Sequence, residues 1–522
     1  MKFCKLATMF KNEIDPLFAL VKRMSKSEKR HFKLLASRHE SGDGKFIRLF
    51  DQLDAMKEYR SELLTGQNTG ITKAQLPNQK AFLYDYLMNC LRISTAKLSV
   101  DVTLAQMISN VRVLYDKCLY ADCLRAIDKA KHFAIANDRT VFLFDIFELE
   151  KQVIPRTLHE DHEERVKKTN RRSNEAMQSL SRQNHYRNVA LRLNTFYVQK
   201  GFIRNREDLR EIKQVFEREF PKMRENESEF GSLLHRYNAL VSYYFFIRDF
   251  KRGYVTAKRW VKLFHDDEKK IASHTEMYIR ALNSFLVAQN KLGRLSEFEH
   301  THRELIALKR KRIRWTDNIN LHLFKAIYVH EINRHYMMGE FRSGTRIVAR
   351  LENELEKFIP LLDHHSILIF DYKIACLYFG ADQYKRSLHW LNRIINEKDI
   401  SVREDLHAFA RILALICHNE LGNAKLVNSN IISLYRFLLK KGDLSQYNRL
   451  IIGFLRKLDK GQSGKQLMKL YVQLKEQLLP LTTHQFERRA FLYFDIITWL
   501  ESKITGKSME SIAKAKGKRS AE

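Results

Sequence analysis

The chain has 522 residues, and its 92 Lys and Arg against 61 Asp and Glu give a formal net charge of +31 at neutral pH. Only 6 prolines interrupt it, 44% of its residues are hydrophobic, and no stretch alternates between apolar and polar residues as a strand would. These features exclude a sheet-rich fold and indicate a long all-helical chain with ample core material. Internal ion pairs cannot neutralise this excess of positive charge, so the excess is expected to lie on the surface of the protein.

Residues 1–65 are predicted to form a small helical subregion. Ser25 and Glu28 make a capping box, in which the two side chains satisfy backbone N–H groups of the first helical turn. Helices are expected at about 26–39 and 45–60. Charges interrupt residues 1–20, which therefore lack the apolar stretch of a secretion signal. No run of 18 apolar residues predicts a membrane span.

A cluster of Gly, Asn and Thr at residues 65–70, with Pro77 shortly after it, predicts the first boundary. Residues 66–103 are expected to be a linker and a connecting helix, and residues 104–502 to form stacked helix hairpins. The earliest hairpins are irregular. Their turns are predicted near Tyr120, in the polar stretch before Arg165, near Ile203 and near Asp249.

From residue 230 onward the chain repeats one helical hairpin. Glycines that would end its first helix recur at intervals of 46, 41, 42 and 42 residues: Gly293, Gly339, Gly380, Gly422 and Gly464. Fixed-period similarity of this length indicates stacked helix pairs, because one pair cannot bury its apolar face alone. The sequence therefore predicts an all-α solenoid of antiparallel hairpins.

Helix starts repeat with the same period. They include two capping boxes and three further N-cap candidates: Ser273 with Glu276, Ser401 with Glu404, Asp317, Asp363 and Ser445. An apolar residue is expected to begin the second helix of each pair: Leu295, Phe341, Tyr384 and Ala424. Phe341 and Tyr384 are expected to be buried between adjacent pairs.

Gly380 with Tyr384 behind it, and Gly339 with Phe341, resemble the helix-turn-helix signature of the tetratricopeptide repeat family. That family's usual period is about 34 residues, whereas the period here is 41 to 46. The resemblance covers residues from about 104 to 500 and implies a right-handed superhelical solenoid, not a ligand. Residues 20–34 resemble the start of helical-repeat proteins of the Bacteroidota, a likeness that implies no particular activity.

Residues 503–522 lose the apolar stripe and become rich in Lys and Ser, which predicts a disordered basic tail. The 6 cysteines are scattered, without CxxC pairs or a dense framework. They are expected to be reduced thiols. Together with the missing secretion signal and membrane span, this predicts a cytoplasmic protein.

Two basic clusters supply the candidate partner-binding residues. They are Lys309, Arg310, Lys311, Arg312 and Arg314 with the adjacent Trp315, and Lys167, Lys168, Arg171 and Arg172. A basic groove would attract RNA, DNA, an anionic membrane surface or an acidic protein segment, with an affinity that falls as salt rises. The competing interpretation is that these cations only solvate outer helix faces.

Exposed aromatic rings beside cations would favour nucleic acid, because bases stack on them. Residues 243–246 are four successive aromatics, with Arg248 just beyond. Four rings in succession on a helix cannot all point one way, so the core interpretation is favoured. Trp315 lies where one hairpin ends and the next begins, so both a core and an exposed position remain open.

Three sequence patterns resemble catalytic or metal-binding motifs, but each lacks part of the motif. Residues 159–164 place two histidines three apart, but no third ligand is indicated, so a solvated acidic linker is favoured. Residues 297–302 hold two Glu-x-x-His matches that overlap instead of lying on separate helices. Residues 461–466 resemble a phosphate-binding loop but lack its Ser or Thr and the preceding strand. No catalytic residue, cofactor or metal is therefore expected.

The sequence thus predicts a non-enzymatic scaffold or adaptor. A basic groove of helical repeats would capture a protein partner as a helix or an extended peptide. The alternative is an RNA- or ribosome-associated protein that uses the same groove on phosphates. An enzyme hidden on the scaffold would be a third class, but no constellation of residues supports it.

Overall fold

The protein is described by a computed structural model, and the structure describes residues 15–37, 44–96, 99–157, 162–220, 228–358, 361–458 and 464–521. Within these residues all regular structure is helical, apart from an isolated antiparallel bridge between Gly66 and Ile71. The all-α class is confirmed. None of the described helices combines the length and the apolar surface that crossing a bilayer requires.

The chain divides into two compact units, Met1–Gln178 and Ser179–Glu522. The sequence predicts boundaries after residues 65, 103 and 502. The helices within the first unit are α1 (Pro16–Arg23), α2 (Lys26–Ala36), α3 (Lys45–Ala55), α4 (Leu76–Ala96), α5 (Val100–Asp116), α6 (Tyr120–Ala136) and α7 (Thr140–Val153). Helix α8 (His162–Lys200) begins in the first unit and ends in the second.

Helices α1 to α4 share one hydrophobic core. The predicted capping box is present at the start of α2, where the Ser25 backbone N–H donates to Glu28 Oε2 at 2.7 Å. Leu83 and Leu87 of α4 are fully buried in the same core as the side chains of α2 and α3. Residues 71–91, within the stretch predicted to be a linker and a connecting helix, therefore contribute side chains to the N-terminal core.

Helices α5, α6 and α7 pack around a separate core that includes Leu104, Ile127 and Ile146. The turn predicted near Tyr120 is confirmed, because α6 begins at that residue. The turn predicted before Arg165 falls at residues 158–161, outside the described residues.

The second unit contains the repeated hairpins. Its helices after α8 are α9 (Arg206–Glu219), α10 (Phe230–Phe246), α11 (Phe250–His265), α12 (Lys269–Ser273), α13 (Thr275–Lys291), α14 (Leu295–Ala307), α15 (Asp317–Met338), α16 (Phe341–Phe358), α17 (His364–Gly380), α18 (Tyr384–Ile395), α19 (Glu404–Glu420), α20 (Ala424–Lys440), α21 (Gln446–Lys457), α22 (Gly464–Leu478), α23 (Ile496–Thr505) and α24 (Met509–Ala521). Short 3-10 helices occupy Leu308–Arg310, Leu479–Thr482 and Glu487–Leu492.

These hairpins stack in series. The first helices α10, α13, α15, α17, α19 and α21 pack one against the next. Each second helix, from α11 through α14, α16, α18 and α20, packs against the first helix of the following pair. Every pair thereby buries its apolar face on a neighbour, as the period predicted.

The hairpin turns share one geometry. Gly293 adopts a left-handed backbone with φ of 70°, and the N–H of Arg294 donates to the carbonyl of Gln289 at 3.0 Å. Gly339 and Gly422 are left-handed in the same way after α15 and α19. This arrangement satisfies carbonyls that the helix end leaves unpaired, and glycine adopts it without strain.

Gly380 does not play this role. The left-handed residue after α17 is Asp382, and Gly380 is the last helical residue. A Cβ on Gly380 would lie 2.5 Å from the ring of Phe341, so close packing explains this glycine. Gly464 begins α22 and does not end a first helix, so both assignments were wrong. Phe341 is buried as predicted, whereas Tyr384 is only half-buried.

The predicted helix starts are largely confirmed. Second helices begin at the four predicted residues, Leu295, Phe341, Tyr384 and Ala424. Asp363 and Ser445 are N-caps, whose side chains accept the backbone N–H three residues later. Both repeat capping boxes were wrong. Ser273 ends α12, and Arg403, two residues after Ser401, precedes α19 in a left-handed conformation.

The C-terminal residues also differ from the expectation. Within the predicted disordered tail, residues 503–522, helix α24 packs against α15 and α23. Glu510 accepts the backbone N–H of Arg342 at 2.7 Å and so caps the start of α16. A Cβ on Gly339 would lie 2.6 Å from the backbone nitrogen of Lys514. The Lys-rich composition gave no indication of this helix, which packs through such close backbone contacts.

Candidate partner-binding site

The basic block after α14 is mostly exposed. The buried Leu308 anchors a 3-10 turn, beyond which the cations turn outward. Four of them are exposed: Lys309, Arg310, Lys311 and Arg312. Lys311 Nζ lies 3.1 Å from a carboxylate oxygen of Glu268, and within the described part of the chain the other three form no ion pair. This block remains available to an anionic partner.

Arg314 and Trp315 have a different environment. Ile313 and Trp315 pack against the core that α10, α11, α13, α14 and α15 share. Burial lowers the pKa of Arg314, which is only partly exposed. Trp315 is half-buried against this core, so only part of its ring is open to solvent.

The second basic cluster lies on α8 in the first unit. Lys167, Lys168, Arg171 and Arg172 are exposed there. Lys167 pairs with Glu163 at 2.6 Å and Arg171 with Glu175 at 3.8 Å, whereas the other two cations form no ion pair among the described residues. This cluster is partly neutralised by its own helix and contributes less free charge than the block after α14.

The aromatic cluster belongs to the core. The ring of Tyr243 stacks on that of Phe216 with centroids 3.8 Å apart, and Phe246 is buried. Arg248 is only 3% exposed, and its guanidinium donates to the carbonyls of Gln485 and Phe486. No base could stack on these rings beside an exposed arginine.

The metal-like patterns do not form a site. Half of each of the patterns at residues 159–164 and 461–466 lies outside the described residues. In the third pattern, Glu299 pairs with Arg334 at 3.1 Å, while His302 is buried and contacts a backbone carbonyl. Among the side chains that the structure describes, no group of three or more His, Cys, Asp or Glu could hold a metal ion.

One feature of the second unit was not predicted: residues 485–495 run across the first helices. We call residues 485–495 the crossing segment. It contains the 3-10 helix Glu487–Leu492 and contacts groups at or next to α10, α13, α17, α19 and α21.

Aromatic side chains anchor the crossing segment. Three of its rings lie against rings of the first helices, with centroids 4.2 to 5.4 Å apart: Tyr493 on Phe409, Phe494 on Phe379 and Phe491 on Tyr447. A fourth, Phe486, packs on the cluster that contains Phe246. Such pairs bury large apolar areas. The first helices thus bind a stretch of polypeptide from their own chain.

Cations of the first helices hold the segment's backbone. Lys291 Nζ donates to the carbonyl of Leu492 at 3.3 Å, and Arg248 donates to the carbonyl of Phe486 at 3.4 Å. No described carboxylate lies within 4 Å of either cation. Burial lowers the pKa of Lys291 to about 7 and that of Arg248 to about 10, and neighbouring cations add to both shifts. Each desolvated cation therefore relies on backbone carbonyls for its stabilisation.

A buried charge cluster fixes the far end of the segment. Arg403 donates two bonds of 2.8 Å to the carboxylate of Asp405, which also accepts from the hydroxyl of Tyr493. Burial alone would raise the pKa of Asp405, but Arg403 and Tyr493 lower it overall. Arg489 of the segment forms a single ion-pair contact with Asp443. The two buried arginines thus each pair with a buried carboxylate.

The nearest nucleophile is also inactive. Burial raises the pKa of the Cys376 thiol to about 12, so the sulfur stays protonated at neutral pH. Its Sγ donates a weak bond to the carbonyl of Tyr493. The contacts around the crossing segment are thus those of a segment packed within its own chain.

The chain matches no model of a known protein family, and no curated protein matches its sequence. Its class follows from the fold and the site. It is an all-helical protein of stacked hairpins, whose first helices bind a segment of the same chain and whose outer residues carry unpaired cations.

Proposed function

We propose that the protein is a cytoplasmic, non-enzymatic scaffold or adaptor that binds a protein partner through a basic helical-repeat surface. The exposed block after α14 carries this proposal, because three of its four outward cations have no internal ion pair in the described residues. The serial packing of first helices supports a right-handed superhelical solenoid of tetratricopeptide-like hairpins.

The crossing segment changes the expected mode of binding. An external peptide on the first helices would have to displace residues 485–495 and their buried ion pairs. Among the described residues, the exposed cations of the block after α14 have no contact with the crossing segment. We therefore place the partner's contacts there, where they raise the association rate and its dependence on salt.

The alternative is binding of nucleic acid by the same cations. The net charge of +31 favours it, since a polyanion releases counterions when it binds. Trp315 is half-buried against the core, which reduces the ring area that could stack on a base beside the block. Binding of nucleic acid would therefore rest mainly on phosphate contacts, which carry little sequence preference.

Replacement of Lys309, Arg310, Lys311 and Arg312 by Ser tests both candidates. Circular dichroism should show an intact fold, because these side chains are exposed. Wild type and variant are titrated with an acidic peptide, RNA and DNA at several salt concentrations. Selective loss of peptide binding supports the adaptor. A salt slope for DNA that falls by about 0.9 per lost phosphate contact supports nucleic acid. Negligible binding of all three by wild type overturns both.

A further inference from the structure

The outward side of α11 carries cations around one exposed valine. The opposite side buries Trp260 and Phe264 in the core, whereas Val255 is 48% exposed. Residues three and four positions apart are neighbours on a helix surface. Val255 therefore has four cationic neighbours, at positions −4, −3, +3 and +4: Lys251, Arg252, Lys258 and Arg259. We call these five residues the α11 ring.

Four exposed cations are concentrated in the α11 ring, and α11 itself contains no Asp or Glu. Arg252 reaches Asp249 at 3.5 Å, but no described carboxylate lies within 4 Å of the other three. The neighbouring second helix α14 carries three glutamates, of which Glu297 interacts electrostatically with Lys258 without forming an ion pair. The positive charge of the α11 ring is thus only partly offset by carboxylates of α14.

The ring's position keeps it accessible. α11 is a second helix, so its outward side is turned away from the first helices that hold the crossing segment. It lies beside α14, since Tyr254 donates to Glu297 at 2.5 Å and His265 lies 2.6 Å from Glu304. Lys311 of the basic block reaches Glu268, three residues beyond the end of α11. The α11 ring and the basic block therefore lie in the same unit, on segments that these contacts join.

The chemistry of the ring selects a class of partner. A run of phosphates would neutralise the cations but would gain nothing from an aliphatic side chain at their centre. No aromatic residue belongs to the ring, so bases could not stack there. An acidic helix matches both the valine and the cations of the α11 ring. If it carries one apolar residue with carboxylates three and four positions away, these side chains have the same spacing as those of the ring.

We infer that the α11 ring docks an acidic helix of a protein partner, whose apolar side chain covers Val255 while its carboxylates meet the surrounding cations. This inference rests on the proposed adaptor function and specifies its partner and contact surface. One helix face buries less area than a standard stable interface of about 1,600 Å². The contact is therefore weak, fast to form and sensitive to salt.

A synthetic, labelled peptide of about 18 residues, long enough to be partly helical in water, serves as the probe. It carries one Leu flanked at three and four positions by Glu, and a second peptide has Ser in place of that Leu. The two ring variants are Lys258→Glu with Arg259→Glu, and Val255→Ser. The matched control is Arg346→Glu with Lys385→Glu, which changes the same charge at exposed, unpaired positions of α16 and α18.

We expect the ring charge variant to weaken peptide binding at least about tenfold at low salt, and the control by less than about threefold. The Leu-to-Ser peptide should bind wild type more weakly, yet should lose little against Val255→Ser, because the two changes remove the same contact. Equal weakening by ring variant and control would mean a long-range charge effect and overturn the inference. So would RNA that binds more tightly than the peptide.

Two further outcomes separate this inference from the adaptor function. If the Ser variant of the basic block loses the peptide while the ring variants keep it, the adaptor stands and the α11 site is refuted. If wild type binds no acidic peptide at all, both fail. Should the charge reversal impair folding, Lys258→Gln with Arg259→Gln replaces it, with an expected weakening of about threefold.

Discussion

The hydroxyl of Tyr493 donates a hydrogen bond to the buried carboxylate of Asp405, 88 positions earlier in the chain. The ring of the same tyrosine stacks on Phe409, one turn further along α19. Tyr493 therefore binds α19 in two ways, by ring stacking and by a hydrogen bond. A mutation can remove the hydrogen bond and keep the stacked ring.

Tyr493→Phe keeps the ring and removes the hydroxyl. We expect it to lower the free energy of unfolding by about 1–3 kcal/mol, because a buried carboxylate loses one of its partners. The measurement is equilibrium urea unfolding. Tyr384→Phe is the control, since its hydroxyl contacts Asp382 at an exposed position and its loss should cost less than about 0.5 kcal/mol. Equal costs would contradict the structural role of the Tyr493 bond.

Arg403→Met removes the cation that holds Asp405. We expect a loss of about 3–5 kcal/mol, because the carboxylate is left charged and buried without its main partner. The double variant Arg403→Met with Asp405→Leu should recover much of this loss, since both charges are then absent. Thermal and chemical unfolding of the two variants provide the comparison. A double variant less stable than the single one would refute this account.

Gly201→Ala should be far more damaging than Gly422→Ala. Both glycines have positive φ, of 76° and 73°, so each alanine carries a similar backbone strain of about 1–2 kcal/mol. A Cβ at Gly201 would also lie 1.9 Å from a carboxylate oxygen of Asp405, whereas none of the described atoms lies within 4 Å of a Cβ at Gly422. Unfolding free energies that differ by at least about 1 kcal/mol between the two variants would confirm the contact.

Lys291→Met should change how stability depends on pH. Burial depresses the pKa of this lysine from an ordinary 10.5 to about 7 in the folded protein. The unfolded chain therefore binds more protons between these values, so stability rises with pH in that range and falls as pH drops toward 7. The variant should flatten the slope between pH 8 and 10 by up to about 1.4 kcal/mol per pH unit. Lys251→Met, at an exposed position, should leave the slope unchanged.

The hairpins were predictable because their signals are local. Gly293, Gly339 and Gly422 adopt the left-handed backbone conformation of the hairpin turns, which few other residues adopt without strain. The same turn is also made by Asp382 and Arg248, which give no such signal, and Gly380 was misassigned for this reason. The capping box at Ser401 was wrong because the helix starts after Arg403, whose backbone N–H donates to the distant carbonyl of Val198 at 2.8 Å.

The crossing segment could not be predicted from the sequence, because its contacts are non-local. Residues 491–494 read Phe-Leu-Tyr-Phe, which is equally compatible with a buried helix. Their partners lie up to 238 positions away, as in the bond between Arg248 and the carbonyl of Phe486. The exposure of the basic block agreed with its composition, but the burial of Trp315 depended on a core formed by several hairpins.

The late position of the crossing segment has a consequence for synthesis of the protein. Ribosomes add about 5–20 residues per second, so tens of seconds pass between the emergence of Arg248 and that of residues 485–495. During this interval the nascent hairpins can stack, but the aromatic rings and cations that later hold the segment face solvent. We expect this interval to be when the growing chain depends most on chaperones, and the last residues to close the unit into one cooperative whole.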